Sequence, residues 1–135
     1  MSSFLLEIVT PERKLYEKRA QMVSVKGQEG ELGILPNHIP LVTPLKIAPV
    51  TVKLDGGGKD VIAVNGGFIE VRKDKVVILA ESAELAGDID VQRAQQAKER
   101  AEKRLADKQA QLDFRRAEIA LQKAMNRIQV YNDRG

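Results

Sequence analysis

The chain has 135 residues and 15.0 kDa, with 43% hydrophobic and 30% charged residues, which is enough for one compact core and too little for a second large one. It contains no cysteine, so a disulfide framework and a thiolate metal site are excluded and a reducing compartment is expected. The net charge is +3, and the excess lies late in the chain: residues 1–87 hold 11 basic and 11 acidic side chains, and residues 88–135 hold 11 basic and 8 acidic.

The first part of the chain, residues 4–82, is predicted to be an all-β domain. Short runs rich in β-branched residues alternate with Gly, Pro, Asn and Asp, a pattern typical of a sandwich or barrel. The predicted strands are FLLEIVT, QMVSVKG, VTVKL, DVIAV, FIEVR and VVILAES. No apolar run approaches the roughly 18 residues that span a bilayer, and the first residues lack a signal-peptide pattern, so we expect neither membrane insertion nor export by that route.

Three turns are predicted between these strands. Residues 55–58, DGGG, suit a hairpin because glycine takes positive φ without a Cβ clash, and residues 65–67, NGG, offer the same freedom. Residues 73–74 would close a third hairpin. The middle of the domain is less regular, because Pro36, Pro40, Pro44 and Pro49 each lack a backbone donor. We therefore expect an edge strand or an ordered loop there, and no central strand.

The tail after Gly87 is predicted to be helical, because no Gly or Pro occurs again before Gly135 and good helix formers dominate. We place helices at about 90–106 and 112–130, the first capped by Asp88 or Asp90. Apolar residues recur every three or four positions in each half. They are Ala94, Ala97, Ala101 and Leu105 in the first half, and Phe114, Ala117, Leu121, Ala124 and Ile128 in the second.

The stripe weakens over residues 106–111, which suits a helix–helix turn, yet nothing there forbids a continuous helix. One helix over residues 90–130 would be about 60 Å long, and a hairpin roughly half that. A seam of alanines buries little apolar area, so the hairpin should be stabilised by only a few kcal/mol. A ligand could then decide between the two forms.

Few residues suggest catalysis or metal binding. His38 is the only histidine, and its LPNHIP context favours a loop or interface contact over a general base. The DGGGKD segment lacks the spacing of a phosphate-binding loop and precedes a strand. Glu29 and Glu31 have no further ligand nearby in sequence to complete a metal site. We predict a protein that is not an enzyme and has no metal site.

The start of the tail carries a charged face. On a helix, Asp90, Arg93 and Arg100 share one broad side, on which arginines could neutralise phosphates while carboxylates accept hydrogen bonds from an adenine amino group or a ribose. The alternative is a solvated surface with ordinary salt bridges.

Two segments resemble the epsilon chains of bacterial F-type ATP synthases: GQEGELGILPNHIPLVTPL at residues 27–45, and NGGFIEV followed by VVILAESAELAGDID. The resemblance implies an α+β chain with two separate domains, a β-sandwich of about ten strands at residues 1–86 and, at residues 87–135, an α-helical hairpin that can extend. It implies attachment to the gamma subunit and the c ring, through a segment that includes Glu31 and His38. A monomer in isolation, bound peripherally at the cytoplasmic face of the cell membrane, is expected.

The IDVQRA segment is similar to the motif by which some bacterial epsilon chains bind ATP as a regulatory ligand. The residues that match this site are Glu84, Ile89, Asp90, Arg93, Ala94, Arg100 and Arg127, with Lys123 where the best-binding relatives carry arginine. The implied function is a non-catalytic rotor subunit that couples rotation to ATP synthesis. When ATP is scarce, the extended tail would enter the catalytic head of alpha and beta subunits through Arg104, Arg115 and Arg116 and obstruct ATP hydrolysis.

The alternative is a nucleic-acid or protein-binding adaptor with a basic tail. Against nucleic acid, the tail has only two aromatic residues, Phe114 and Tyr131, and its cations alternate with acidic residues. Against a coiled-coil adaptor, the alanine spacing drifts from strict heptad positions.

Overall fold

The computed structural model describes residues 2–107 and 114–134. Within them the chain forms a β domain followed by two helices, as predicted. The strands are β1 (Phe4–Val9), β2 (Lys14–Gly27), β3 (Gly30–Ile34), β4 (Leu41–Leu54), β5 (Lys59–Val71), β6 (Lys75–Ala80) and β7 (Ala83–Leu85). A 3-10 turn (Ala86–Asp88) leads into α1 (Val91–Ala106) and α2 (Phe114–Asp133).

The sheet closes on itself into a barrel-like sandwich. Its strand order is β1-β6-β5-β4-β2-β3, β1 also pairs with β2, and β7 pairs with β5. The β1–β6 pair is parallel and the other pairs are antiparallel. Closure removes most free sheet edges and places alternate side chains of each strand inside. The fully buried large side chains of this core include Leu6, Ile8, Ile34, Ile62, Ile69 and Ile78.

The expected strand number of about ten is wrong, since the described residues form seven strands. The predicted turn at residues 65–67 lies inside β5, which runs on through it. Before this point Ile62 and Val64 face the core, and after it Ile69 and Val71 do, so the inward positions change from even to odd numbers. In the sequence, a switch of the inward positions from even to odd numbers looks like the end of one strand and the start of another.

The glycines at this point bend the strand. Gly66 and Gly67 have φ of 85° and 130°, values that favour glycine. A Cβ on Gly67 would lie 2.1 Å from the carbonyl oxygen of Leu79, so β5 and β6 approach closely there. The two glycines therefore serve a bend and a close strand contact in place of a turn.

The expectation about the prolines is also wrong for two of them, because β4 is a central strand that contains Pro44 and Pro49. Both pair in register with β5, opposite Phe68 and Ala63. On the other side of β4, the ladder with β2 shifts register between Ser24 and Gly27, which separates the paired positions 45 and 51 of β4. Pro49 lies in that irregular stretch, where the missing N–H group interrupts no regular ladder.

The other two turn predictions are confirmed. Gly56, Gly57 and Gly58 all have positive φ in the β4–β5 hairpin, which Leu54 closes by donating its N–H to the Gly58 carbonyl at 3.0 Å. The β5–β6 hairpin turns at residues 73–74, where the Arg72 N–H donates to the Lys75 carbonyl at 2.8 Å.

The helical hairpin is confirmed, with alanines at its seam. Ala94 and Ala101 of α1 and Ala117 and Ala124 of α2 are buried. The predicted start of the second helix at residue 112 lies outside the described residues, and α2 ends at Asp133, three residues beyond the prediction. Phe114, predicted on the apolar stripe, is 52% exposed. None of the helices described here is long and apolar enough to cross a membrane.

A small second cluster joins the hairpin to the sandwich. Val61 and Ala63 on the outer side of β5 pack with Ile89 before α1 and Val130 near the end of α2. The half of β5 before the bend is thus covered by α2, and this places α1, α2 and β7 around one cavity.

Candidate functional site

A cavity of about 490 Å³ lies between the two helices and β7. It brings together six of the eight residues predicted to bind a nucleotide: Glu84, Asp90, Arg93, Ala94, Arg100 and Arg127. Asp88 and Ala97 line it too. The sequence signal for Ala97 is its place on the α1 stripe, and the signal for Asp88 is its position as a candidate helix cap.

The other two predicted residues lie elsewhere. Ile89 is 7% exposed and packs in the small cluster with Val130, so its side chain belongs to the contact between the hairpin and the sandwich and does not line the cavity. Lys123 is half-buried on α2, one helical turn before Arg127, and lies outside the group of described residues that line the cavity.

The cavity is lined by both signs of charge. Arg93 and Arg100 come from α1 and Arg127 from α2, while Glu84, Asp88 and Asp90 supply carboxylates. A shallower cavity of about 450 Å³ shares Asp90, Arg93 and Arg100 with it and continues along α1. Guanidinium groups from two helices suit a polyanion, because each donates paired hydrogen bonds to phosphate oxygens. Among the described residues, no group of three or more His, Cys, Asp or Glu side chains is arranged to hold a metal ion.

Asp90 also has a structural role in the site. It is the N-cap of α1, and its carboxylate accepts a hydrogen bond from the backbone N–H of Arg93 at 3.1 Å. The cap fixes where α1 begins and stabilises the helix, typically by about 1 kcal/mol. The cap uses only the backbone N–H of Arg93, so it does not occupy the guanidinium group of that residue.

One ion pair crosses the cavity from α2 to β7. The Arg127 Nε atom donates to the Glu84 carboxylate, and the two side chains are 30% and 33% exposed. The pair links the second helix to the sandwich in the docked form. A ligand that bound either group would have to share or replace this contact.

Sequence reasoning missed a polar contact immediately beside that pair. Asn126, one residue before Arg127, is 4% exposed and hydrogen-bonds to Val64 and Asn65 of β5. The available signal was a single asparagine between apolar positions of the α2 stripe, which is unusual for a helix interior.

The residues predicted to meet protein partners are separated. Glu31 on β3 is exposed and lines a groove beside α2, whereas His38 lies in the loop before β4, where its Nδ1 is 2.7 Å from the Ile39 carbonyl oxygen. Arg104 on α1 and Arg116 on α2 are exposed. Arg115 is 85% exposed and lies 3.9 Å from Glu118.

The outer face of the sandwich beyond the bend carries an exposed apolar row. Pro44 pairs in register with Phe68, Phe68 with Leu79, and Leu79 with Val9, so the four side chains share one face. Phe68 is 51% and Leu79 46% exposed. Exposed apolar residues that adjoin one another, unlike scattered ones, mark interaction surfaces.

The chain matches two families along its length. Residues 3–86 match the β-sandwich domain of the ATP synthase delta/epsilon chain, and residues 88–132 match the long α-helix domain of the same chain. The ATP synthase epsilon chain of Bacillus cytotoxicus is 59% identical over 132 residues, 98% of either chain. That of Halalkalibacterium halodurans is 57% identical and covers 96% of this chain and 98% of its own length.

A solved structure has the same fold. A chain in the cryo-EM structure of the Euglena gracilis mitochondrial ATP synthase superposes with a TM-score of 0.78 over 93% of this chain and 79% of its own. Its sequence is 24% identical, so this likeness extends to the fold alone.

Proposed function

Because the chain belongs to the ATP synthase delta/epsilon chain family, as a non-catalytic stalk subunit of that complex, we propose that its helical hairpin is an ATP-sensitive switch. The observation that carries the proposal is the cavity that α1, α2 and β7 form together. Its basic groups come from both helices and Glu84 comes from the sandwich. A ligand that contacts all three elements binds only when the hairpin is closed and docked.

ATP has the chemistry that this cavity suits. Its phosphates would lie against Arg93 and Arg100 of α1. Arg93 is in the first turn of that helix, where unpaired N–H groups and the helix dipole favour negative charge. Arg127 approaches from α2 and closes the basic group on the opposite side. The spread of these cations over two helices means that phosphate binding holds the helices together.

Glu84 would recognise the other end of the ligand. Its carboxylate is an acceptor on β7 and can take a hydrogen bond from the adenine amino group or a ribose hydroxyl. In the structure this carboxylate pairs with Arg127. ATP can offer a phosphate to Arg127 and a hydrogen-bond donor to Glu84, so the pair opens without leaving either group without a hydrogen-bond partner.

Binding then shifts the equilibrium of the tail. ATP stabilises the docked hairpin because it binds that form more tightly, and a lower ATP concentration favours opening. The opened tail would carry Arg104, Arg115 and Arg116, which are already exposed in the docked form, to the catalytic head, where they would contact acidic segments and obstruct ATP hydrolysis. In this way the subunit would inhibit hydrolysis when ATP is scarce.

The sandwich would attach the switch to the rotor. Its exposed apolar row, with Phe68 at the centre, suits a protein partner that buries apolar area, and we assign it to the gamma subunit. The loop with His38 and the edge strand with Glu31 lie elsewhere on the sandwich and would meet the c ring. The chain would thus couple rotation to ATP synthesis at the cytoplasmic face of the membrane, without insertion.

The nucleotide site is tested by calorimetry with ATP and the full chain. Arg93→Ala should raise the Kd for ATP about tenfold or more, since a hydrogen-bonded charge contact is worth about 1.5–3 kcal/mol and 1.4 kcal/mol is tenfold. Alanine keeps the backbone N–H that donates to the Asp90 cap of α1. Arg104→Ala is the matched control, because it removes the same charge from an exposed position of the same helix. Equal Kd values for wild type and Arg93→Ala would refute the site.

A further inference from the structure

Two buried asparagines meet where α2 lies on the sandwich. Among the described residues, Asn65 on β5 and Asn126 on α2 are two of the three buried polar or charged side chains, with 0% and 4% exposure. The Asn126 side-chain amide donates to the Val64 carbonyl at 3.1 Å and to the Asn65 side-chain oxygen at 3.3 Å. Buried polar groups are costly unless they are paired, so these contacts hold only in one arrangement of the two elements.

The network continues towards the cavity. The Asn65 side-chain amide donates to the Ser82 hydroxyl at 3.0 Å, and the Asn65 backbone N–H donates to the Ser82 carbonyl at 2.9 Å. Ser82 is two residues before Glu84. Asn65 is therefore held between the helix on one side and, on the other, the segment that carries Glu84.

We infer that Asn126 is a positioning residue that sets the register of α2 on the sandwich and thereby brings Arg127 to Glu84. The apolar contacts between α2 and the sandwich specify register only weakly, because the buried cluster there is small and includes Ala63, whose side chain fits more than one neighbour. A slide of α2 by one turn would place Gln122 or Val130 opposite Asn65. Either shift would break both hydrogen bonds of Asn126, and a polar residue paired across a packed interface fixes alignment in this way.

Asn126 and Arg127, which are consecutive in α2, have different roles. Glu84 pairs in register with Ala63, and Ala83 pairs with Val64, so the partners of Arg127 and Asn126 lie on adjacent strands. Asn126 selects the position of the helix, and Arg127 then meets the carboxylate. The Asn126 side-chain oxygen is itself buried with no hydrogen-bond partner among the described residues. Burial of this unpaired acceptor opposes docking, so the contact specifies the register without making the docked form permanent.

The inference is tested with the full chain, spin labels at the exposed positions Glu12 and Asn132, and no nucleotide. Wild type should give one narrow distance distribution. Asn126→Leu, which introduces an apolar side chain of similar size without a donor, should broaden the distribution or shift it to longer distances. Gln129→Leu, an exposed position one turn later, should leave the distribution unchanged. A narrow distribution at the wild-type distance in Asn126→Leu would overturn the inference.

A double variant separates register from stability. In Asn65→Val with Asn126→Leu, both members of the pair are apolar, which restores attraction but not alignment. We expect a hairpin that docks in several registers, with a broad distance distribution. If the double variant instead regained the narrow wild-type distribution, the asparagines would contribute only stability and the inference would fail.

The readout by nucleotide rests on the proposed function. If wild type binds ATP, Asn126→Leu should raise the Kd for ATP about tenfold, although no side chain that lines the nucleotide cavity is altered. Gln129→Leu should leave that Kd unchanged. If wild type binds ATP and Asn126→Leu binds it with the same Kd, the link from Asn126 to Arg127 is contradicted. If wild type does not bind ATP, the proposed function fails, and the label distances still decide the role of Asn126.

Discussion

The sandwich and the helical hairpin are stabilised in different ways. The sandwich core is a continuous cluster of large branched side chains, many of them fully buried, such as Ile62, Ile69 and Ile78. Each such side chain contributes about 1.5–3 kcal/mol on burial. The closed sheet also satisfies its own backbone, so this region determines its fold without help from a partner.

The hairpin is held by smaller contacts. Its helix–helix seam buries Ala94, Ala101, Ala117 and Ala124, and one methyl group on each is worth about 0.8 kcal/mol, or about 3 kcal/mol for the four. The docking cluster adds Val130 and a single ion pair that is partly exposed. These energies are comparable to those that one ligand supplies.

The difference assigns a separate task to each region. A region with a large core keeps one shape and can serve as an attachment point. A region with a weak seam changes shape when a ligand or a neighbouring subunit favours another form. The bend at Gly66 and Gly67 joins the two, because α2 covers the outer face of β5 before the bend and the apolar row lies beyond it.

The largest expected effect is on the sandwich core. Ile78→Ala should lower the free energy of unfolding by about 2–5 kcal/mol, because it removes fully buried methylene and methyl groups and leaves a cavity. Urea unfolding followed by circular dichroism measures the change. Ile39→Ala is the control, since Ile39 is 76% exposed and its loss should cost less than about 0.5 kcal/mol. Equal losses in the two variants would contradict the view that this core determines the fold.

The next effect concerns partner binding by the sandwich. Phe68→Ser should weaken binding to the gamma subunit by about 2 kcal/mol, or roughly thirtyfold, if the apolar row is the centre of that interface. Surface plasmon resonance with isolated gamma gives the Kd. Lys53→Ser, an exposed change at the other end of β4, is the control. Asn126→Leu should leave the same Kd unaltered, and a parallel loss in that variant would show that the two regions do not act separately.

Much of the fold can be predicted from the sequence, and the wrong predictions about the strand number and the prolines have one cause. Alternation, glycine turns and the change of composition after Gly87 predict a β domain and two helices, because these are local signals. The path of β4 and β5 is not local: Pro49 is tolerated because of an irregular ladder with β2, and the bend at Gly66 reverses the alternation. Tertiary pairing decides both.

The candidate site likewise has one part that local sequence predicts and another that depends on tertiary packing. Asp90, Arg93 and Arg100 lie within one helical stretch, so their proximity is predictable from spacing alone. The match of Arg127 and Glu84 to that site came from the family resemblance. Their proximity to α1 depends on how α2 lies on β5, and the Asn126 contact that governs this joins residues 61 positions apart. A contact between residues so far apart in the sequence produces no periodic pattern from which it could be predicted.

The smallest expected effect is a pH dependence confined to the sandwich. Asp60 accepts hydrogen bonds from the Tyr16 hydroxyl at 2.7 Å and from Lys18 at 2.9 Å. Burial raises the pKa of Asp60, but the hydrogen bonds from Lys18 and Tyr16 and the charge of Lys18 outweigh it, so the pKa lies below its ordinary value of 3.8. Since the folded form favours the carboxylate, its contribution is complete above the ordinary pKa and is lost as the pH falls through the lower pKa of the folded form.

Asp60→Asn should therefore lower the free energy of unfolding by less than about 1 kcal/mol at pH 7, as expected for a partly exposed ion pair. The difference from wild type should shrink below about pH 4, where wild type itself becomes protonated. Urea unfolding at pH 7, 5 and 3 measures it, and the distance between labels at Glu12 and Asn132 should not change at pH 7, because Asp60 contacts β2 and not the hairpin. A difference that persisted unchanged at pH 3 would mean that the carboxylate charge is not what stabilises the contact. A change in the label distance would mean that the small cluster around Val61 transmits strain from the sandwich into the hairpin, so that the two regions are less separate than their cores suggest.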